Sequence, residues 1–219
     1  MERYEDLVRR VVPDYGEQEL LMAGLLGEAM PPTGSGRFRI LELGAGTGTL
    51  SRFLLETFPR AELTALDVLP VMLDACAKAL APFANRADLR RADFGTAELG
   101  SGYHAAVSRL AIHHLRDEDK RSLFERLAEA LLPGGVFAMS DLIAGPTEAD
   151  TEAMLGEWRR YMLARGDDPA EWARWLVGED DLPSPAQRQV EWLLEAGFAD
   201  AHIVWQRANF AILRAAKAA

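Results

Sequence analysis

Three kinds of residue in this chain have the type and spacing to do chemistry: a glycine cluster, acids at the ends of predicted strands, and a pair of adjacent histidines. Residues 40–50 read Ile-Leu-Glu-Leu-Gly-Ala-Gly-Thr-Gly-Thr-Leu. Ile40, Leu41 and Leu43 predict a buried strand, and Gly44, Gly46 and Gly48 then let the backbone turn and let a ligand approach where a Cβ would clash. A nucleotide-like ligand suits such a bend ahead of a helix beginning near Ser51. The dinucleotide pattern Gly-x-Gly-x-x-Gly would need glycine at position 49, where the chain has Thr49. Leu63-Thr-Ala-Leu-Asp67 predicts a second strand ending in an acid, and that carboxylate can accept hydrogen bonds from both vicinal hydroxyls of a ribose. His113 and His114 leave the end of a predicted fourth strand, where open α/β sheets place ligands. Imidazole there is either a general base for a substrate hydroxyl or amine, or a group that caps the next helix. Asp141, at the end of a predicted fifth strand, is a second base candidate or a residue that holds its loop. A metal would need more ligands than two neighbouring histidines, and the sequence nominates none, so no metal is expected.

These residues need strands to carry them and helices to cover them. Tyr4, Leu7, Val8, Val11 and Val12 follow helical spacing over residues 2–12, ended by Pro13, and Leu20, Leu21, Leu25 and Leu26 predict a second helix over 17–30. Pro31 to Gly36 is a linker, and Tyr15 sits at the break between the two helices. Leu89-Arg-Arg-Ala-Asp93-Phe94 closes a third strand, and Tyr103 to Leu115 spans the fourth and its exit loop. A helix over 117–132 ends at Pro133-Gly134-Gly135 before strand Val136–Leu142. From Gly145 to Ser184 the pattern turns to acidic helices bearing Trp158, Tyr161, Met162, Trp172 and Trp175, open between substrate pocket, core and dimer contact. A helix over 185–196 and a hairpin from Ala201–Trp205 and Ala208–Leu213 close the chain.

The run Glu-x-Gly-x-Gly-x-Gly after a first strand resembles motif I of the class I S-adenosylmethionine-dependent methyltransferases, and Leu-x-Pro-Gly-Gly before the fifth strand extends the resemblance along nearly the whole chain. It implies an α/β, Rossmann-like, doubly wound sheet of seven strands, mostly parallel, with a C-terminal antiparallel hairpin. It also implies S-adenosylmethionine as cofactor, held by Glu42, Gly44, Ala45, Gly46, Gly48, Asp67 and Val68, with Leu69 beside the adenine. Asp93 would accept from the adenine amine and Phe94 offer its backbone N–H. Tyr15, Ser108 and Arg109 fall at the methionine end. His104 departs from the aromatic-Asp often found at that strand's start. Within the family, Pro13-Asp14-Tyr15, Ala196-Gly197-Phe198 and the Trp205-Gln206 to Asn209-Phe210 hairpin look similar to the carboxy-S-adenosylmethionine synthase group, in which a lid arginine grips a carboxylate; Arg174 stands at the matching distance. The expected activity is methyl transfer to an oxygen or nitrogen of a small molecule. The alternatives are a carboxy-S-adenosylmethionine synthase-like transferase and a non-catalytic cofactor-binding protein. Trp158, Tyr161 and Arg174 are the substrate-binding candidates.

Composition bounds the rest. A chain of 219 residues, 49% hydrophobic, can bury one large core. The expected division is covering helices at 1–36, a cofactor-binding core at 37–145, a helical lid at 146–190 and a closing segment at 191–219. The net charge of −10 is concentrated in residues 146–185, which repels a phosphate backbone and makes nucleic acid an unlikely partner. No apolar run approaches the ~20 residues of a membrane span, and the charged first residues do not resemble a signal peptide, so a cytoplasmic location is expected. A homodimer is possible on this reading. A single cysteine, Cys76, excludes an internal disulfide.

Overall fold

The computed structural model describes residues 2–32, 36–170 and 181–219. Strands β1 (Phe38–Leu43), β2 (Ala61–Asp67), β3 (Ala87–Arg91), β4 (Tyr103–Arg109), β5 (Leu131–Leu142), β6 (Asp200–Arg207) and β7 (Phe210–Ala216) form one sheet in the order β3-β2-β1-β4-β5-β7-β6. β1 pairs in parallel with β2 on one side and β4 on the other, whereas β7 enters antiparallel between β5 and β6. The strand order therefore reverses across β1 and β4, and the crevice beyond their carboxyl ends is where such sheets bind ligands.

Alternation along the central strands sorts side chains onto two covered faces. Leu41, Leu43, Phe137 and Met139 pack against α5 (Asp117–Ala130) and α7 (Ala186–Glu195) through Leu123, Phe124, Leu127 and Leu193. Phe38, Ile40 and Ala138 face the other way, toward α2 (Tyr15–Gly27), α3 (Thr49–Thr57) and α4 (Pro70–Ala79). Strands buried on both faces carry apolar residues on both, as β1 does with Phe38, Ile40, Leu41 and Leu43. Cys76 belongs to this second face; burial pushes its thiol up to about 12, so it is a packing residue with no nucleophilic character.

A third, smaller cluster joins α1 (Glu2–Val11) and α6 (Glu148–Ala164) to the end of the sheet, with Leu7, Val11, Trp158, Met162, Leu142 and Phe210 at its centre. Trp158 is 1% exposed and its indole N–H donates to the Val11 carbonyl at 2.9 Å. This anchors α6 onto α1. Some boundaries differ from expectation. Tyr15 stands on the first turn of α2, because Asp14 takes the sharp break with φ 52°. β5 begins at Leu131, upstream of the Pro133-Gly134-Gly135 segment expected to precede it.

Gly44 and Gly46 both have positive φ, at 75° and 53°, but only Gly44 is crowded: a Cβ there would lie 2.4 Å from the Ala111 Cβ, while a Cβ on Gly46 meets nothing within 4 Å. Gly44→Ala should lower the denaturant-unfolding free energy by about 1–3 kcal/mol more than Gly46→Ala does. Adding Ala111→Gly should recover part of that excess. Equal losses for the two single variants would show that Ala111 does not abut the turn.

Candidate functional site

The turn after β1 is held by hydrogen bonds to the end of β2. Gly44 and Ala45 both donate their N–H groups to the Leu66 carbonyl at 2.9 Å, and Gly46 donates to Asp67 Oδ2 at 2.8 Å. Asp67 Oδ1 accepts from Leu69 N–H at 2.9 Å. One backbone donor per carboxylate oxygen leaves further acceptor positions on both, as a ribose diol requires. Asp67 is thus a brace for the glycine turn as well as a candidate ligand for the cofactor.

Above the turn lies a cleft with about 430 Å³ of atom-free space counted to its open mouth. Its walls include Glu42 from β1, Gly44 to Thr47 from the turn, Glu5 and Tyr15 from the covering helices, and Arg109 from the exit of β4. Glu42 is 1% exposed and accepts from the Ser51 hydroxyl. Burial pushes its carboxyl up to about 7, against the pull of Ser51 and Arg109. Tyr15 lies between two guanidinium groups, Arg109 at 4.4 Å and Arg9 at 4.7 Å from its ring centre. Burial, the dominant influence, pushes its phenol up to about 12, so it stays protonated at neutral pH. Arg109 in turn donates to Glu19 at 2.9 Å, both side chains being 10% exposed. Glu19 was not singled out from sequence. Its signal was a polar Gln18-Glu19 pair, three and four residues after Tyr15 and so on the same inward helix face.

The structure brings Tyr15, Glu42, Gly44, Ala45, Gly46 and Arg109 to one cleft, with Gly48 capping α3 behind it. Val68 and Leu69, 53% and 49% exposed, extend an apolar surface beyond Asp67. The Phe94 ring reaches 3.7 Å from where a Gly44 Cβ would be. Asp93 is exposed, and its carboxylate accepts from Gly95 N–H at 2.8 Å. Ser108 does not open onto the cleft: fully buried, it donates its hydroxyl to the Leu43 carbonyl at 2.9 Å and braces β4 against β1. Trp158 is a core residue, as described above. Tyr161 lies on an outer groove, stacked by Arg165 and Arg207. Arg174 lies outside the described residues.

His113, His114 and Asp141 are not among the residues lining the cleft. Asp141 is 1% exposed and fully engaged, accepting from His113 N–H at 3.0 Å, from the His113 ring Nδ1 at 2.5 Å and from Leu142 N–H at 2.8 Å. It holds the loop after β4. Burial pulls the His113 pKa down, but Asp141 and Asp181 outweigh it and carry the value to about 9. At neutral pH His113 is therefore an imidazolium between two acids, which is a poor general base.

Residues 40–135 match the model of a methyltransferase domain. Among curated proteins, the chain is 28% identical to a carboxy-S-adenosyl-L-methionine synthase of Chromohalobacter salexigens, over 98% of this chain and 80% of that protein. It is 35% identical to a malonyl-[acyl-carrier protein] O-methyltransferase of Chlorobium phaeovibrioides over 68% of this chain and 58% of that one. Among solved structures, the S-adenosylmethionine-dependent methyltransferase SibL superposes with a TM-score of 0.64 at 18% identity, covering 95% of this chain. Residues 40–135 thus belong to the methyltransferase-domain family, and the chain as a whole resembles the class I S-adenosylmethionine-dependent methyltransferases. The chain spans only 60% of SibL's length, and the likeness to SibL concerns the fold. In class I methyltransferases S-adenosylmethionine is the cofactor, and the bare Gly44–Gly46 backbone between Asp67 and Glu42 provides the kind of cradle it needs. No described helix is long and apolar enough to cross a membrane.

Asp67→Ala should lose S-adenosylmethionine affinity by calorimetry and also cost roughly 1–3 kcal/mol of stability, because the Gly46 and Leu69 N–H groups lose their acceptor. Full affinity would remove Asp67 from the cofactor site. For Glu42 the folded pKa of about 7 lies above the ordinary 4.5, so the folded state keeps a proton that the unfolded chain has shed. Its contribution to stability is complete below that window and is lost as pH rises through it. Glu42→Gln should therefore flatten the fall in unfolding midpoint between acid and neutral pH; an unchanged profile would assign that fall to other groups.

Proposed function

We propose that this methyltransferase moves the methyl group of S-adenosylmethionine to an oxygen or nitrogen of a small molecule. The observation that carries this reading is the charge of the cleft. Among the described lining residues its one cation, Arg109, is already paired with Glu19, while the buried acid Glu42 faces the same space. A cationic donor is favoured there, and among the described lining residues an additional carboxylate meets no unpaired cation. The chain's overall charge of −10 argues for a small acceptor over a nucleic acid.

When bound, S-adenosylmethionine supplies a methyl group made electrophilic by a positively charged sulfonium. Asp67 would take the ribose hydroxyls, Val68, Leu69, Asp93 and Phe94 the adenine, and Tyr15, Glu42 and Arg109 the methionine end. Ser108 acts through the β1–β4 brace. Holding acceptor and donor in line supplies about 7–11 kcal/mol in well-oriented systems, so the chain does not depend on a strong base.

A second reading, transfer of a carboxyl group onto the cofactor, draws on the likeness to the Chromohalobacter salexigens synthase over 98% of this chain. It would need a cation for the new carboxylate. The two readings separate by mass. Native mass spectrometry of freshly purified protein should show S-adenosylmethionine or its demethylated product. Incubation with methyl-labelled cofactor and a panel of hydroxyl and amine acceptors should transfer label. A co-purified carboxylated cofactor would establish the second reading, and tight cofactor binding with no transfer to any acceptor would make the chain a non-catalytic binder.

A further inference from the structure

We propose that His113, His114 and Asp181 form a binding site for a divalent transition-metal ion of the zinc type. The site lies apart from the cofactor cleft and does not rest on the reaction proposed above. The sequence offered two adjacent histidines and no third ligand; the fold supplies it. Leu182 N–H donates to the His113 carbonyl at 2.8 Å, which seats the chain after Asp181 against the 3₁₀ turn at Ile112–His114. Lys120 secures the same segment by donating its ammonium group to the Leu182 carbonyl and the Ser184 hydroxyl. Asp181 Oδ1 then stands 3.1 Å from His114 Nδ1 and 3.5 Å from His113 Nε2, and the three donor atoms all lie within 4.8 Å of one another. Metal–ligand bonds of about 2.0–2.2 Å in a tetrahedron place ligand atoms about 3.3–3.5 Å apart, so both distances to Asp181 are close to what an ion requires and the two histidine nitrogens have to settle to the same spacing.

The orientation of His113 points the same way. Its Nδ1 is bound by Asp141 at 2.5 Å, and its own backbone N–H is held by the other oxygen of that carboxylate at 3.0 Å. A carboxylate on one ring nitrogen that turns the other toward an ion is the usual support of a metal-bound histidine. Two carboxylates oppose the two positive charges of the ion, and Lys120 is occupied by its own acceptors. On binding, the ion displaces the proton of His113 Nε2 to solvent. Three protein ligands leave a fourth position for water, reached past His114, which is 55% exposed. Imidazole and carboxylate together suit Zn²⁺ or Co²⁺ better than Mg²⁺ or Ca²⁺.

The test uses the full chain, stripped with a chelator, exchanged into clean buffer and titrated with Zn²⁺ by calorimetry and with Co²⁺ by visible absorption. One equivalent should bind, with the intense bands of four-coordinate cobalt. His114→Ala and Asp181→Asn, each with an unchanged circular dichroism spectrum, should weaken binding at least tenfold. Asp141→Asn should weaken it about 10–100-fold through loss of ring orientation. His202→Ala, at the exposed hairpin, should bind as wild type does. Absence of saturable binding would overturn the site, and so would binding that survives both His114→Ala and Asp181→Asn.

Discussion

The hydrogen bond from Gly46 N–H to Asp67 is the constraint on which the rest of the candidate cofactor site depends. A glycine-rich turn has no side chains to fix its course, and three glycines close together would sample many conformations. Here the turn is fixed from the neighbouring strand: the Leu66 carbonyl takes two of its N–H groups and the Asp67 carboxylate takes a third. The parallel register of β1 and β2, with Leu43 opposite Leu66, sets where those acceptors stand. The backbone can then remain bare toward the ligand without being loose. One carboxylate shapes the cradle and still has lone pairs to offer.

Charge in the cleft is arranged around Tyr15. Two guanidinium groups lie over the ring, and both are within ion-pair distance of Glu19, Arg109 at 2.9 Å and Arg9 at 4.0 Å. Glu42 lies deeper, where burial makes its ionisation costly, with Ser51 as hydrogen-bond partner. A cationic ligand arriving beside Glu42 would favour the ionised carboxylate, whereas an anionic one would oppose it. The proposed preference for a cationic ligand would thus reside in a buried residue of the central strand.

Much of the sheet was legible because its determinants are local. Buried parallel strands announce themselves as apolar runs, and the acid ending β2 and the glycines ending β1 mark the points where those strands stop. Antiparallel closure by β6 and β7 was likewise expected from two short apolar runs and the family resemblance. What the sequence could not give was which polar side chains would meet. Ser108 read as a ligand contact, yet the pairing of β4 with β1 turns its hydroxyl onto the Leu43 carbonyl. Asp141 read as a base, but a carboxylate that emerges under the His113 backbone has its oxygens taken by that residue and by Leu142. Glu19 and Asp181 were passed over because their partners are 90 and 68 residues away from them in the chain, a separation that no local pattern records.

The tryptophan-bearing region after β5 shows how packing decides among readings that composition leaves equal. Trp158 was open between substrate pocket, core and dimer contact. Its indole N–H can be buried only if it finds an acceptor, and the last turn of α1 offers the Val11 carbonyl, whose own helix has no further residue to bond it. That single bond converts a large amphipathic side chain into the joint between α6 and α1. Since α1 contributes Glu5 and Val8 to the wall of the cleft, the helix after β5 is coupled to the cofactor site through packing and not through contact. Tyr161, one turn further along the helix, faces outward between Arg165 and Arg207. The aromatic content of α6 is therefore divided between holding the cover in place and shaping the surface beside it.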